Sequence, residues 1–125
     1  MKYHSALFLL FWAGLMVCSG GKVITENCLK THPSSPHVAG VDLDAAQKCT
    51  LECSFEEVRI MDSNGNINIT RGLEVNKEAW PETASKYAPM YPGCLAKSKD
   101  VKDKCEKAYV YIKCFGQEAV DLIFT

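Results

Sequence analysis

The feature that most constrains this chain is the stretch Cys49-Thr50-Leu51-Glu52-Cys53. On a helix, four residues make just over one 3.6-residue turn, so the two thiols leave from one face. Side by side they are poorly placed to bridge each other without distorting the helix, and each needs a partner on another segment. The partners at hand are Cys28, Cys94, Cys105 and Cys114. Cys105 and Cys114 stand nine residues apart, which at about 100° per residue sets them on opposite faces of a helix. They too must reach different elements. Of the 15 pairings that six cysteines admit, these two exclusions leave ten.

The seventh cysteine, Cys18, belongs to another context. Met1 to Ser5 is a short basic start, Ala6 to Val17 (ALFLLFWAGLMV) is an apolar run, and Cys18-Ser19-Gly20-Gly21 is small. This is the layout of a secretory signal peptide, residues 1–20, cleaved after Ser19 or Gly20 and too short to span a bilayer comfortably. The mature chain, residues 21–125, is then one domain. Its six cysteines, in an oxidising compartment, read as three disulfides. A domain this small buries a limited core, so each bridge contributes about 2–5 kcal/mol. Losing Lys2 with the leader takes the net charge from −1 to −2. That near-balance supports neither nucleic acid nor an anionic membrane as partner. A zinc site is disfavoured, because the cysteines are not spaced C-x-x-C and no histidine sits at ligand spacing beside them.

Along the chain, residues 22–31 allow a short helix carrying Cys28 inward. His32-Pro33-Ser34-Ser35-Pro36-His37 then reads as a loop with two solvated histidines. Asp42 suits the N-cap of a central helix over 43–60. Asp44, Lys48, Glu52, Glu56 and Arg59 recur on one side of it and read as a solvated charged face. Residues 62–69 form a turn that imitates the start of a calcium loop. Ile67 replaces the required glycine and Leu73 the bidentate glutamate, so no metal is expected. Asn68-Ile69-Thr70 is an N-glycosylation sequon.

A helix over 69–80 follows, weakened by Gly72, and Pro81 suits the first turn of the next. Pro89 and Pro92 make 87–94 kinked or irregular, with Tyr87, Met90 and Tyr91 as pocket-lining material. Asp100 suits the cap of a last helix over 101–115, apolar nearly all round from Ala108 and stopped by Gly116. The greasy tail, residues 117–125, is expected to dock back onto the body.

The whole mature chain resembles the insect odorant-binding proteins, the pheromone and general odorant-binding family. The residues that carry the likeness are Cys28-x20-Cys49-x3-Cys53-x40-Cys94-x10-Cys105-x8-Cys114, an Asn-Gly turn after the third cysteine, and Cys105-Glu106-Lys107-Ala108-Tyr109. The resemblance implies an all-α fold of about six helices around an apolar cavity. It also implies the interlocked pairing Cys28–Cys53, Cys49–Cys105 and Cys94–Cys114. Two departures stand out. The x20 interval is shorter than usual, trimming the early helices or their loop. Pro89 and Pro92 fall where the family has regular helix.

The functional expectation is a secreted, non-enzymatic carrier of small apolar molecules in an extracellular fluid, with no cofactor. Such a carrier needs a mostly apolar pocket of roughly 300–1,000 Å³. The candidate lining residues are Phe55, Tyr87, Met90, Tyr111, Phe115, Ile123 and Phe124. Ile123 and Phe124 are also placed to form a lid, anchored by Asp121 or the terminal carboxylate. An olfactory receptor or a homodimer is a further candidate partner. The alternative is a protein of the same fold that sequesters a ligand in saliva, seminal fluid or immunity. A small disulfide-rich lipase is remote: the mature chain's histidines, His32 and His37, lie in the Pro/Ser loop, and no Gly-x-Ser-x-Gly is present.

Overall fold

The computed structural model describes residues 23–125; the predicted signal peptide and Cys18 lie outside the described residues. The described chain is all-α. In order it runs α1 (Glu26–Thr31), α2 (Ala45–Glu57), α3 (Ile69–Ala79), α4 (Ala84–Tyr87), a 3₁₀ turn (Ala88–Met90), α5 (Tyr91–Ser98), α6 (Lys104–Cys114) and α7 (Gln117–Phe124). From α4 through the 3₁₀ turn to α5 the chain stays helical without a gap, so the fold has six helical bodies. Pro92 sits in the first turn of α5, and Pro89 in the 3₁₀ turn, where a missing N–H leaves no hydrogen bond broken. The segment is thus bent but more regular than its prolines suggest.

Three disulfides tie these bodies together: Cys28–Cys53 joins α1 to α2, Cys49–Cys105 joins α2 to α6, and Cys94–Cys114 joins α5 to α6. The opposite-face argument for Cys105 and Cys114 holds, since one reaches α2 and the other α5. The contact of α2 with α6 is the most extensive between helices, and that of α5 with α6 is next.

The central helix starts later than the spacing of charges suggests. Its N-cap is Asp44, not Asp42. The Asp44 carboxylate accepts from the Gln47 backbone N–H (2.8 Å), and the Gln47 side chain accepts from the Asp44 N–H (2.9 Å). This reciprocal box satisfies two orphan donors at once. Asp42 instead accepts hydrogen bonds from the Tyr109 hydroxyl and Lys113 Nζ on α6. Likewise α6 is capped by Asp103 rather than Asp100, through the Glu106 N–H at 2.9 Å.

At its other end α2 stops at Glu57. The Ile60 N–H returns to the Phe55 carbonyl and the Arg59 N–H to that of Glu56, which is the Schellman arrangement. Arg59 occupies the left-handed position, φ 69°, where glycine is the usual choice.

The charged face of α2 is not simply solvated. Lys48 pairs with Glu106 at 2.9 Å, and Glu56 with Lys104 at 3.2 Å, both across to α6. Glu52 is 7% exposed. A second buried stripe, Gln47, Thr50 and Ser54, holds the N-terminal segment. Gln47 donates to the Ser35 carbonyl, Thr50 donates to that of His32, and Ser54 Oγ accepts from the Thr25 N–H. With bridges from Cys49 and Cys53 as well, α2 has neighbours on nearly every side.

His37 also departs from expectation. Its side chain is 4% exposed, with Nε2 2.7 Å from Asp121 of α7 and its ring 5.3 Å from that of Phe124. The tail does dock, and it does so as a helix with Ala119, Val120 and Ile123 buried. Gly116, at φ 116°, makes the sharp change of direction between α6 and α7 that a side chain would strain.

Candidate functional site

Helices α2 to α7 converge on an apolar cavity of about 60 Å³. Val23, Phe55, Ile60, Gly72, Val75, Asn76, Trp80, Tyr87, Tyr91, Tyr111, Ile112, Phe115, Ala119, Leu122 and Ile123 line it. The wall is built by helical spacing. Gly72, Val75 and Asn76 share one face of α3, and Ala119, Leu122 and Ile123 share one face of α7.

Aromatic rings make up one side. Phe115 is the hub, with Tyr91 at 4.8 Å, Tyr111 at 5.3 Å and Tyr87 at 5.9 Å between ring centroids, each steeply tilted to it. Phe55 meets Tyr111 edge-on at 6.3 Å. Such edge-to-face pairs are each worth about 0.5–1.5 kcal/mol beyond their buried area, so the wall is held in place. These rings also fill space. The void has room for about two waters, well under the roughly 300–1,000 Å³ of a ligand pocket. The disulfides restrain α1, α2, α5 and α6, so a larger guest must displace wall side chains or the untethered α3, α4 and α7.

Gly72 sits at the closest approach. A Cβ there would stand 3.1 Å from Tyr91 Cε2 and 3.4 Å from the Tyr111 hydroxyl. The glycine that weakens α3 in isolation is what admits the two tyrosines.

The three tyrosine hydroxyls differ. Tyr87 donates outward to Glu118 on α7 (2.9 Å). Burial, helped by that carboxylate, pushes its pKa up to about 12. Tyr91 donates to the Gly72 carbonyl (3.4 Å) and accepts from Asn76 Nδ2 (3.2 Å). The Tyr111 hydroxyl is buried and has no hydrogen-bond partner. Burial raises the pKa of Tyr91 and Tyr111 as well, so all three phenols stay neutral at physiological pH.

Five of the seven predicted lining residues are on the wall: Phe55, Tyr87, Tyr111, Phe115 and Ile123. Met90 and Phe124 are not. Each packs against the core beside a residue that takes the wall position, Tyr91 and Ile123 respectively. Neighbours on a helix point about 100° apart, so one of each pair turns away. Phe124 turns to the His37 ring instead. Gly72, Asn76 and Trp80 escaped the sequence reading; the period of α3, which sets Gly72, Val75 and Asn76 together, was the available signal.

Asp121 ties α7 to the loop before α2, accepting from the Gly40 N–H (3.2 Å) as well as meeting His37. The His37 hydrogen bond is the main cause of its lowered pKa. Among the described residues, the group near enough to hold a metal is Cys28, Cys53 and Glu57. Its two sulfurs are joined in a disulfide and are not the thiolates that a metal takes.

The PBP/GOBP family model matches residues 20–118, most of the 125-residue chain. The chain belongs to this family of odorant-binding proteins. The odorant-binding cysteine pattern and the three interlocked bridges agree with that placement. General odorant-binding protein 57e of Drosophila melanogaster is 27% identical over 73 residues, covering 58% of this chain. The match spans about half (51%) of that relative's length. No solved structure gave a significant match. Among the described residues no helix is long and apolar enough to cross a membrane.

Proposed function

We propose that this odorant-binding family member is a secreted carrier that takes up small hydrophobic molecules reversibly in the cavity among α2 to α7. The observation that carries this reading is the make-up of the wall: an aromatic-rich, apolar lining with Asn76 as its one amide side chain, in a chain of this family. Phe55, Tyr87, Tyr111, Phe115 and Ile123 are the contact residues, with Met90 and Phe124 packed behind them. Membership of the odorant-binding family supports a carrier rather than an enzyme.

Binding draws on apolar burial, about 25 cal/mol per Å². Part of that gain is spent on moving rings to enlarge the void, which favours modest affinity. Micromolar binding, about −8 kcal/mol, suffices for reversible transport. Trp80 and Leu122 are the wall residues that are half-buried rather than buried.

The test is a titration of the disulfide-intact mature chain with N-phenyl-1-naphthylamine, whose fluorescence rises on transfer to an apolar site. Saturable binding in the micromolar range, competed by medium-chain volatiles, is expected. No saturable uptake of this probe or of any such volatile would overturn the reading.

A further inference from the structure

We infer that the Tyr111 hydroxyl is the polar anchor for the guest, and that the guest is a neutral molecule carrying one oxygen acceptor, such as a ketone, aldehyde or ester. This rests on the carrier reading and specifies its ligand class.

Tyr111 is 2% exposed, and its hydroxyl is the one buried hydroxyl without a hydrogen-bond partner among the described residues. Tyr111 lines the cavity, and its hydroxyl lies near Gly72, 3.4 Å from where a methyl carbon there would stand. The neighbouring hydroxyl does not relieve it. Tyr91 donates to the Gly72 carbonyl and accepts from Asn76, and no hydrogen bond joins the two phenols.

A buried donor with nothing to receive it costs more than a hydrogen bond is worth once made. An acceptor brought in by a guest therefore recovers a penalty that the folded chain already carries. A guest without one leaves that penalty in place. Sites of this kind discriminate by function as well as by size.

The charge of the guest follows from the same wall. None of its lining residues is cationic or a histidine, and a carboxylate buried there would have no counter-charge. The phenol remains protonated across physiological pH, so it donates and does not repel. A neutral carbonyl or ester satisfies Tyr111; a fatty carboxylate loses its hydration for a single hydrogen bond.

The experiment compares 2-nonanone, nonane and nonanoate as competitors of N-phenyl-1-naphthylamine on the mature chain and on Tyr111→Phe. The substitution removes one oxygen and keeps the ring, so the thermal midpoint of the variant should equal or exceed that of the parent. For 2-nonanone, Tyr111→Phe should weaken binding about tenfold, while nonane binds the variant as well as or better than the parent. Nonanoate should compete more weakly than the ketone in both. An equal change for ketone and alkane, or no change for the ketone, would overturn the anchor while the carrier reading stands. Tighter binding of nonanoate than of 2-nonanone would overturn the inference of a neutral guest. Loss of probe binding in the parent chain itself would overturn the carrier reading, and the anchor with it.

Discussion

Replacing Glu52 by glutamine should abolish most of the loss of stability that this protein suffers between pH 4.5 and pH 7. Glu52 is buried in the contact between α2 and α6, with Oε2 making no hydrogen bond and Lys104 Nζ 3.8 Å away. Burial, then a proton shared with Glu56 and the charge of Glu56, raise its pKa from 4.5 to about 7; Lys104 opposes this and Asp103 adds to it. Between those limits the folded chain holds a proton that the unfolded chain has released. The folded state therefore binds more protons there, and stability falls as pH rises through the window and levels off above it. The span corresponds to about 3 kcal/mol. Glu56 has the opposite sign: its pKa is lowered, chiefly by the Glu52 hydrogen bond, so its contribution is lost as pH falls below 4.5. Together the pair favours the fold most near pH 4.5. Glutamine keeps the shape and cannot ionise. In urea unfolding with disulfides intact, Glu52→Gln should gain up to about 3 kcal/mol over the parent at pH 7.5 and little at pH 4.5. In a thermal scan at pH 7.5 that is a rise of about 10 °C or more. Taking the difference between the two proteins cancels the titrating groups that do not touch Glu52. Equal slopes of stability against pH in parent and variant would refute the argument.

Two other substitutions test local geometry. Gly72→Ala adds about 1 kcal/mol of helix propensity to α3 but presses a methyl against a Tyr91 ring held by Phe115, Asn76 and the Gly72 carbonyl, and overpacking of this kind costs about 1–3 kcal/mol. The net expectation is a loss of about 1 kcal/mol in urea unfolding and weaker uptake of N-phenyl-1-naphthylamine; a gain of the full propensity increment would show that the ring gives way freely. Arg59→Gly relieves the left-handed position after α2, worth about 1–2 kcal/mol, against the larger unfolded-state entropy of glycine, about 0.5–1 kcal/mol. It should stabilise by about 0.5–1 kcal/mol in the same assay, and destabilisation would mean that the Arg59 side chain contributes more than its backbone costs.

The fold could be read because its strongest constraints are periodic and covalent. The spacing of Cys49 and Cys53, the opposed faces of Cys105 and Cys114, and the apolar surround of Ala108 to Phe115 are local facts that a helix turns into directions. The cap positions were misplaced by two or three residues because several aspartates stand within reach. Asp44-x-x-Gln47 and Asp103-x-x-Glu106 are the pairs that close the box or its first half, and that pattern was present in the chain. The charged side of α2 misled for another reason. Charges at i and i+4 look alike whether they meet water or another helix, and Lys104 and Glu106 are far away in sequence.

Helical periodicity and cysteine spacing thus carried the helices and the directions of the bridges, since both depend on residues a few positions apart, while the resemblance to a known family carried the fold around a cavity and the pairing. The size of the cavity, the burial of Glu52 and the tuck of His37 between Asp121 and Phe124 depend on which helices meet and how closely. So does the unpartnered state of the Tyr111 hydroxyl. A tyrosine in a sequence always brings a donor; whether something waits to receive it is settled by neighbours as distant along the chain as Gly72 and Tyr91.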